Sequence, residues 1–268
     1  MNNKSINTVI TNCECTMDSN TVKNKVALIT SYHWEGAYIM KQFIDARIGC
    51  ADILLQKSWW REKNFFGYSE EYLKLMEFNK HEMDRRYYNI EELAKEYDLS
   101  VHHIDNINDV STHLLLDNIQ PQIIVIAGSK IIKEDLIKTF DRRIINFHTG
   151  LLPRYRGPYS EFWAYYNESL SDIGTTIHLI DRGIDTGDIL NTVTVDPTLH
   201  KNPQEAHVIN AKLGAKLLSL TILPYLSNKI VAIPQDEKIA HYYTYPSDTE
   251  INHLRKKLGK DFNIFYAD

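Results

Sequence analysis

Asn146 and His148 close a short apolar run, residues 143–147 (RIINF), with an amide and an imidazole two positions apart. Side chains alternate faces along a strand, so the two point to the same side. At the carboxyl edge of an open α/β sheet that side is where ligands bind. Polar groups ending an apolar strand cost desolvation unless something pairs with them. A second polar stretch, DRGIDTGD at 181–188, sets Asp185 between Gly183 and Gly187. Those glycines permit a tight turn and close backbone approach to a planar ligand. An Asn, a His and an Asp brought together support acyl transfer. The amide donates to a developing oxyanion, the imidazole moves a proton or stabilises charge, and the carboxylate orients the imidazole. Two other readings stay open on these residues alone: a lone His at a strand end is also a satisfied polar group, and DxGxDxGD also suits a cation.

The elements around these residues predict an α/β fold. Residues 26–31 (VALITS), 51–55, 101–104, 122–127 (QIIVIA) and 143–147 read as short buried strands. Helical patterns at 36–46, 108–118 and 133–140 separate them, which argues for a Rossmann-like, mostly parallel sheet flanked by helices. After Gly174 the pattern changes to alternation over 175–180 and 188–195, as in adjacent antiparallel strands. Asn202-Pro203 opens a helix expected to run to about Leu223, where Pro224 ends or kinks it. Residues 1–22 read as a mobile N-terminal extension, 23–232 as one principal domain, and 233–268 as a short C-terminal extension. The stretch 59–97 is long, charged and aromatic, and reads as a helical insertion packed on the body.

Composition narrows the partners. Hydrophobic residues make up 43% of 268, and the formal net charge is −5. That balance supplies no general attraction to nucleic acid or to an anionic membrane. The three cysteines (Cys13, Cys15 and Cys50) show no metal-ligand spacing, and His81-Glu82 lacks the second histidine of a zinc-protease helix, since position 85 is Arg. No apolar run is long enough to span a bilayer, and the polar start lacks a secretion-signal layout. The expectation is a cytoplasmic protein without a metal, and a homodimer is compatible with it.

NFHTGLLPRYRG at 146–157 and GTTIHLIDRGIDTGDIL at 174–190 together resemble the paired signature of the 10-formyltetrahydrofolate-dependent formyltransferase family. The family pattern runs Asn-x-His, a small residue, Leu-Leu-Pro and a basic/aromatic-Gly turn. Some three dozen residues later come a Gly-Thr-rich strand and an Asp-containing loop. The resemblance is convincing over about 123–190 and weaker back to Val26. It implies a catalytic trio of Asn146, His148 and Asp185. It also implies N10-formyltetrahydrofolate as co-substrate, held largely by backbone groups of two loops. One loop matches Ala127, Gly128, Ser129, Lys130 and Ile131, and the other Asp181, Gly183, Ile184 and Asp185.

Four branches of that family differ in the amine they formylate. Methionyl-tRNA formyltransferases carry a C-terminal β-barrel, for which residues 231–268 are too few, so a nucleic-acid partner is not expected. Glycinamide ribonucleotide formyltransferases hold phosphate on a glycine-rich loop, where this chain has Thr30-Ser31-Tyr32-His33-Trp34-Glu35-Gly36. Sugar N-formyltransferases fit best, with hydroxyornithine or glycinamide ribonucleotide formyltransferases as the alternative, followed by methionyl-tRNA formyltransferases or a non-catalytic folate-binding protein. The expected acceptor is a small-molecule amine, a nucleotide-linked amino sugar. Arg154, Tyr155, Arg156 and Gly157 are expected to contact it, with guanidiniums meeting the pyrophosphate. Tyr155, Tyr159, Phe162, Trp163 and Tyr165 offer stacking surfaces, although Phe162 and Trp163 equally well anchor a helix.

Overall fold

The computed structural model describes residues 26–31, 34–56 and 90–259. The N-terminal extension expected over 1–22 and most of the insertion expected over 59–97 lie outside the described residues. The order is β1 (Val26–Thr30), α1 (Trp34–Asp45), β2 (Cys50–Gln56), α2 (Ile90–Glu96), β3 (Ser100–Ile104), α3 (Val110–Ile119), β4 (Ile123–Ala127), α4 (Glu134–Thr139) and β5 (Ile144–His148). It continues through α5 (Ser160–Tyr166), β6 (Gly174–Leu179), β7 (Ile189–Thr194), α6 (Pro203–Leu226) and α7 (Asp248–Leu258). The seven strands form one sheet in the order β3-β2-β1-β4-β5-β6-β7. β1 to β5 are parallel, and β6 and β7 are antiparallel to their neighbours. This is the expected α/β, mostly parallel architecture.

Period-2 alternation explains the layers. On β1, Val26 and Leu28 pack with Met40 and Phe43 of α1 and Leu218 of α6, while Ala27 and Ile29 pack with Leu116 and Phe140 on the other face. Both faces are therefore covered, as parallel strands require. The chain runs outward from β1 to β3, then returns to place β4 on β1's other side. That reversal opens a crevice beyond the carboxyl ends of β1 and β4.

Two helix starts are well defined. The Asn202 side chain caps α6 by accepting from Glu205 N at 2.9 Å, with Pro203 in the first turn. Ser247 and Glu250 form a capping box on α7, and Gly259 ends it at φ +61°. Pro224 does not stop α6 where expected: the helix runs to Leu226. Proline lacks an N–H, and in the last turn little helix remains to be disrupted.

Residues 233–258 fold back on the body. Ile233 pairs with Ile189, and Tyr242 bridges to Arg156. The rings of Tyr155 and Trp163 stack on Tyr243 at 5.3 and 5.1 Å. Leu254 of α7 is fully buried in the same cluster.

Candidate active site

On β5, Ile145 and Phe147 pack under α6, whereas Ile144 packs on the opposite face. Asn146 and His148 share the Ile144 face by alternation. The antiparallel register sets Asn146 directly opposite His178 of β6, and His148 opposite Thr176. Asp185 arrives from the loop between β6 and β7, with φ +54°. Such a conformation costs a non-glycine residue on the order of 1 kcal/mol and persists only when its surroundings hold it. Here Gln235 Nε2 donates to the backbone oxygens of Asp185 and Gly187, both at 2.8 Å.

The Asp185 carboxylate is the hub. Oδ2 accepts from Gly157 N–H at 2.9 Å and lies 3.7 Å from His148 Nδ1. Oδ1 accepts from Asn146 Nδ2 at 3.3 Å and lies 3.6 Å from His178 Nε2. Burial alone would push this carboxyl up. The charges of His148 and His178, the His178 hydrogen bond and the Gly157 N–H more than offset it, holding it well below the usual carboxylate range. Asp185 is therefore an anion at any physiological pH.

The imidazole protons follow from partners that can only accept. His178 Nδ1–H donates to Leu179 O at 2.8 Å, which aims Nε2 between Asn146 Nδ2 at 3.0 Å and Asp185 Oδ1 at 3.6 Å. His148 Nε2–H donates to Tyr155 O at 2.7 Å, which turns Nδ1 toward Asp185. Gly150 makes room for this ring, since a Cβ there would sit 2.5 Å from His148 Nε2. His178, Gly150 and Gln235 escaped the sequence reading. The available signal was a histidine inside the strand-like run TTIHLI.

Asn146, His148 and Asp185 line a cavity of about 800 Å³ in the crevice beyond β1 and β4. Ala127, Gly128, Ser129 and Ile131 line it from the loop after β4, and Asp181, Gly183 and Ile184 from the loop before β7. The first loop turns at Gly128, φ +70°. It is tied to the segment before α3 by Asn108, whose Nδ2 donates to Ile131 O at 2.9 Å. Among the described residues, no group of three or more His, Cys, Asp or Glu side chains is placed to hold a metal ion.

The expectation for the arginines needs correction. Neither guanidinium lines the cavity. Arg154 pairs with Asp172 at 2.9 Å on the surface. Arg156 is buried, donates to Gln235 Oε1 at 2.9 and 3.1 Å, and pairs with Glu237. Arg156 thus acts through Gln235 on the Asp185 loop, as a positioning residue. Tyr155 is buried against Tyr243, and Trp163 and Tyr165 lie in the same cluster. Gly157 reaches the site through its N–H, and Tyr159 and Phe162 line the cavity. Arg154→Ala is accordingly expected to cost under about 1 kcal/mol and leave acceptor KM unchanged. Arg156→Ala is expected to cost about 2 kcal/mol or more and to lower kcat as the Asp185 loop loosens. Urea denaturation with steady-state kinetics on both variants checks the contrast.

A second charged cluster lies in the same cavity. His207 of α6 sits between Glu35 Oε1 at 3.0 Å and Glu161 Oε1 at 3.2 Å. Burial alone would lower its pKa, but the Glu161 charge and hydrogen bond and the Glu35 contacts reverse this and raise it to about 10. A pKa raised on folding stabilises fully below the ordinary value of 6.5, and that stability is lost progressively as pH rises through about 10. Between pH 6 and pH 9 the protein is expected to lose on the order of 2 kcal/mol more than His207→Gln does. Denaturation midpoints of both proteins at the two pH values read this out, and parallel curves would exclude a charged His207.

Residues 95–220 match the family model described as formyl transferase. The methionyl-tRNA formyltransferase of Clostridium novyi is 38% identical over 128 residues, covering 47% of this chain and 41% of that protein. The chain thus aligns with less than half the length of that curated relative. Among solved structures, the Helicobacter canadensis N-formyltransferase, in complex with folinic acid and dTDP-3-aminofucose, superposes with a TM-score of 0.57 at 15% identity. It covers 84% of this chain and 72% of its own. Glycinamide ribonucleotide transformylase 1 of Symbiobacterium toebii superposes with a TM-score of 0.58 at 16% identity, covering 79% and 94%. These likenesses show the fold.

Proposed function

We propose, from the match of residues 95–220 to the formyl transferase family model, that the chain moves a formyl group from N10-formyltetrahydrofolate to a primary amine. The observation that carries this reading is the anionic Asp185 among Asn146, His148 and the Gly157 N–H, at the wall of a cavity lined by both expected folate loops. The amine nitrogen bonds to the formyl carbon, and the carbonyl electron pair moves onto oxygen. His148 and Asn146 stabilise that oxyanion. The bond to N10 then breaks as N10 takes the proton lost by the amine, a transfer assisted by Asp185. Both donors are engaged before substrate arrives: Asn146 with His178 and Asp185, His148 with Tyr155. Substrate binding redirects them. The 3.3 Å Asn146–Asp185 contact is long and the easiest to give up.

The acceptor in this reading is a nucleotide-linked amino sugar. Tyr159, Tyr242 and Tyr245 line the cavity, with Tyr159 and Tyr245 edge-on at 5.5 Å, and support stacking of a ring. The pyrophosphate role expected for Arg154 and Arg156 is withdrawn. A second reading, an aminoacyl-tRNA acceptor, is favoured by the methionyl-tRNA formyltransferase relatives. The test incubates the protein with 10-formyltetrahydrofolate and nucleotide-linked amino sugars, N-hydroxyornithine, glycinamide ribonucleotide or methionyl-tRNA at matched concentrations. The highest kcat/KM is expected for an amino-sugar nucleotide. Preference for another acceptor would overturn the acceptor while leaving formyl transfer in place.

A further inference from the structure

The cavity straddles the carboxyl edge of the sheet. Its folate-loop wall includes Ile132 and Ile180, which pack on the α3/α4 face with Leu116, Leu136 and Phe140. The start of α6 lines it from the other side, through Pro203 and Gln204. α6 itself packs on the opposite face of the sheet, with Val26, Leu28 and Phe147. At its start two donors of one residue lack an acceptor. Gln204 is 4% exposed, yet its Nε2 has no hydrogen-bond partner among the described residues. In the same turn the Asn202 side chain takes the Glu205 N–H, the Asn202 backbone oxygen takes the Ala206 N–H at 3.1 Å, and Pro203 has no N–H. The cap thus leaves over the backbone N–H of Gln204. A buried amide without a partner is costly, and each such group in a folded protein has a reason to be there.

We infer that Gln204 is a specificity-determining residue for the amine substrate, gripping it by an oxygen, hydroxyl or acyl, on the ring that carries the amine. The inference rests on the formyl-transfer reading and specifies its acceptor side, since both expected folate loops lie on the other face. The last torsion of a glutamine side chain is soft, so the amide turns toward a ligand at the cavity wall without leaving its rotamer. An oxygen docked there accepts from Nε2, and the unpaired N–H at the start of α6 favours the same electron-rich group. An acceptor without that oxygen leaves the amide unpaired, and the site rejects it for that reason.

The probes are nucleotide-linked 4-amino hexoses in matched pairs, one member of each pair lacking the oxygen at C2, C3 or C6. For one pair the full-length protein is expected to favour the oxygenated member by about tenfold or more in kcat/KM, through KM. Gln204→Met, close in volume but without the amide, should reduce that preference to about twofold and leave the formyl-donor KM unchanged. The free variant should melt at or above the parent's temperature, because an unpaired buried amide is gone. The rise in melting temperature on adding the oxygenated acceptor should shrink. A merely structural glutamine would give the reverse, a lower melting temperature with acceptor KM unchanged, and would overturn the assignment. So would an undiminished preference in Gln204→Met, or no preference in any pair. Equal loss with both members of every pair would place the contact on the diphosphate and overturn the ring assignment. Calorimetric titration of the pairs into protein saturated with tetrahydrofolate separates the two claims. Selective binding without turnover would sink formyl transfer and leave this site standing, whereas binding of none of the compounds would remove the site.

Discussion

Replacing His148 with alanine, or Asp185 with asparagine, is expected to lower formyl-transfer turnover by at least about a hundredfold, the scale for a lost acid–base or oxyanion group. Donor and acceptor KM should change far less, because the cavity walls at Ala127–Gly128, Ile184 and Tyr159 are untouched. The two variants should also fail non-additively. His148 Nδ1 faces Asp185 Oδ2 at 3.7 Å, so each group's contribution depends on the other. The double variant is expected to be about as slow as the worse single one. His178→Ala tests the same hub from its buried side. It removes the imidazole that faces both Asn146 Nδ2 and Asp185 Oδ1 and should lower kcat by a smaller factor, roughly tenfold. Single-turnover rates with saturating donor measure all four variants. A His148→Ala protein with near-normal turnover would remove the catalytic assignment.

The second large effect is expected at Gly157. This residue has φ +89°, and a Cβ there would sit 2.1 Å from the Tyr243 backbone oxygen. Gly157→Ala therefore combines left-handed strain with a clash against main chain that no side-chain rotation relieves. The displaced strand is the returning segment that carries Tyr243 and, upstream, Gln235. Loss of about 3 kcal/mol or more in stability is expected. A kcat loss should accompany it, because the Gly157 N–H that donates to Asp185 Oδ2 moves as well. Arg156→Ala reaches the same loop through Gln235 and should give a milder version of the same pair of effects. Urea denaturation and kcat on Gly157→Ala test this. A variant as stable as the parent would show that the 153–157 and 241–243 segments do not pack as described.

Most strands and their order of appearance were legible in the residues. Runs such as IIVIA and RIINF have the length, β-branching and glycine boundaries of buried parallel strands. The alternation after Gly174 marked the antiparallel pair. Asn146 and His148 could be placed on one face from spacing alone, because period-2 alternation is local. His178 could not, because its role depends on register: it faces Asn146 only once β6 pairs antiparallel to β5, with a shift between Ile177 and His178 against β7. The arginines misled for a related reason. Arg156 finds Gln235 and Glu237 some eighty positions away, and nothing in the RYRG segment reports that partner. Phe162 and Trp163 divide between the two readings the sequence allowed, one lining the cavity and the other packed on Tyr243. The acidic cluster was visible only as Glu35, in the place where a phosphate-binding loop would carry glycine. Its partners Glu161 and His207 come from separate helices, brought together by the packing of α1, α5 and α6.

The most direct measurement follows the formyl carbon itself. With 10-formyltetrahydrofolate carrying ¹³C in the formyl group and a nucleotide-linked amino sugar as acceptor, mass spectrometry of the product reports whether the label arrives. The protein is expected to produce one labelled formamide per tetrahydrofolate released, and Asp185→Asn to produce at least about a hundredfold less in the same time. Release of tetrahydrofolate without labelled formamide on any amine in the acceptor panel, or equal labelling by Asp185→Asn, would contradict formyl transfer at this site.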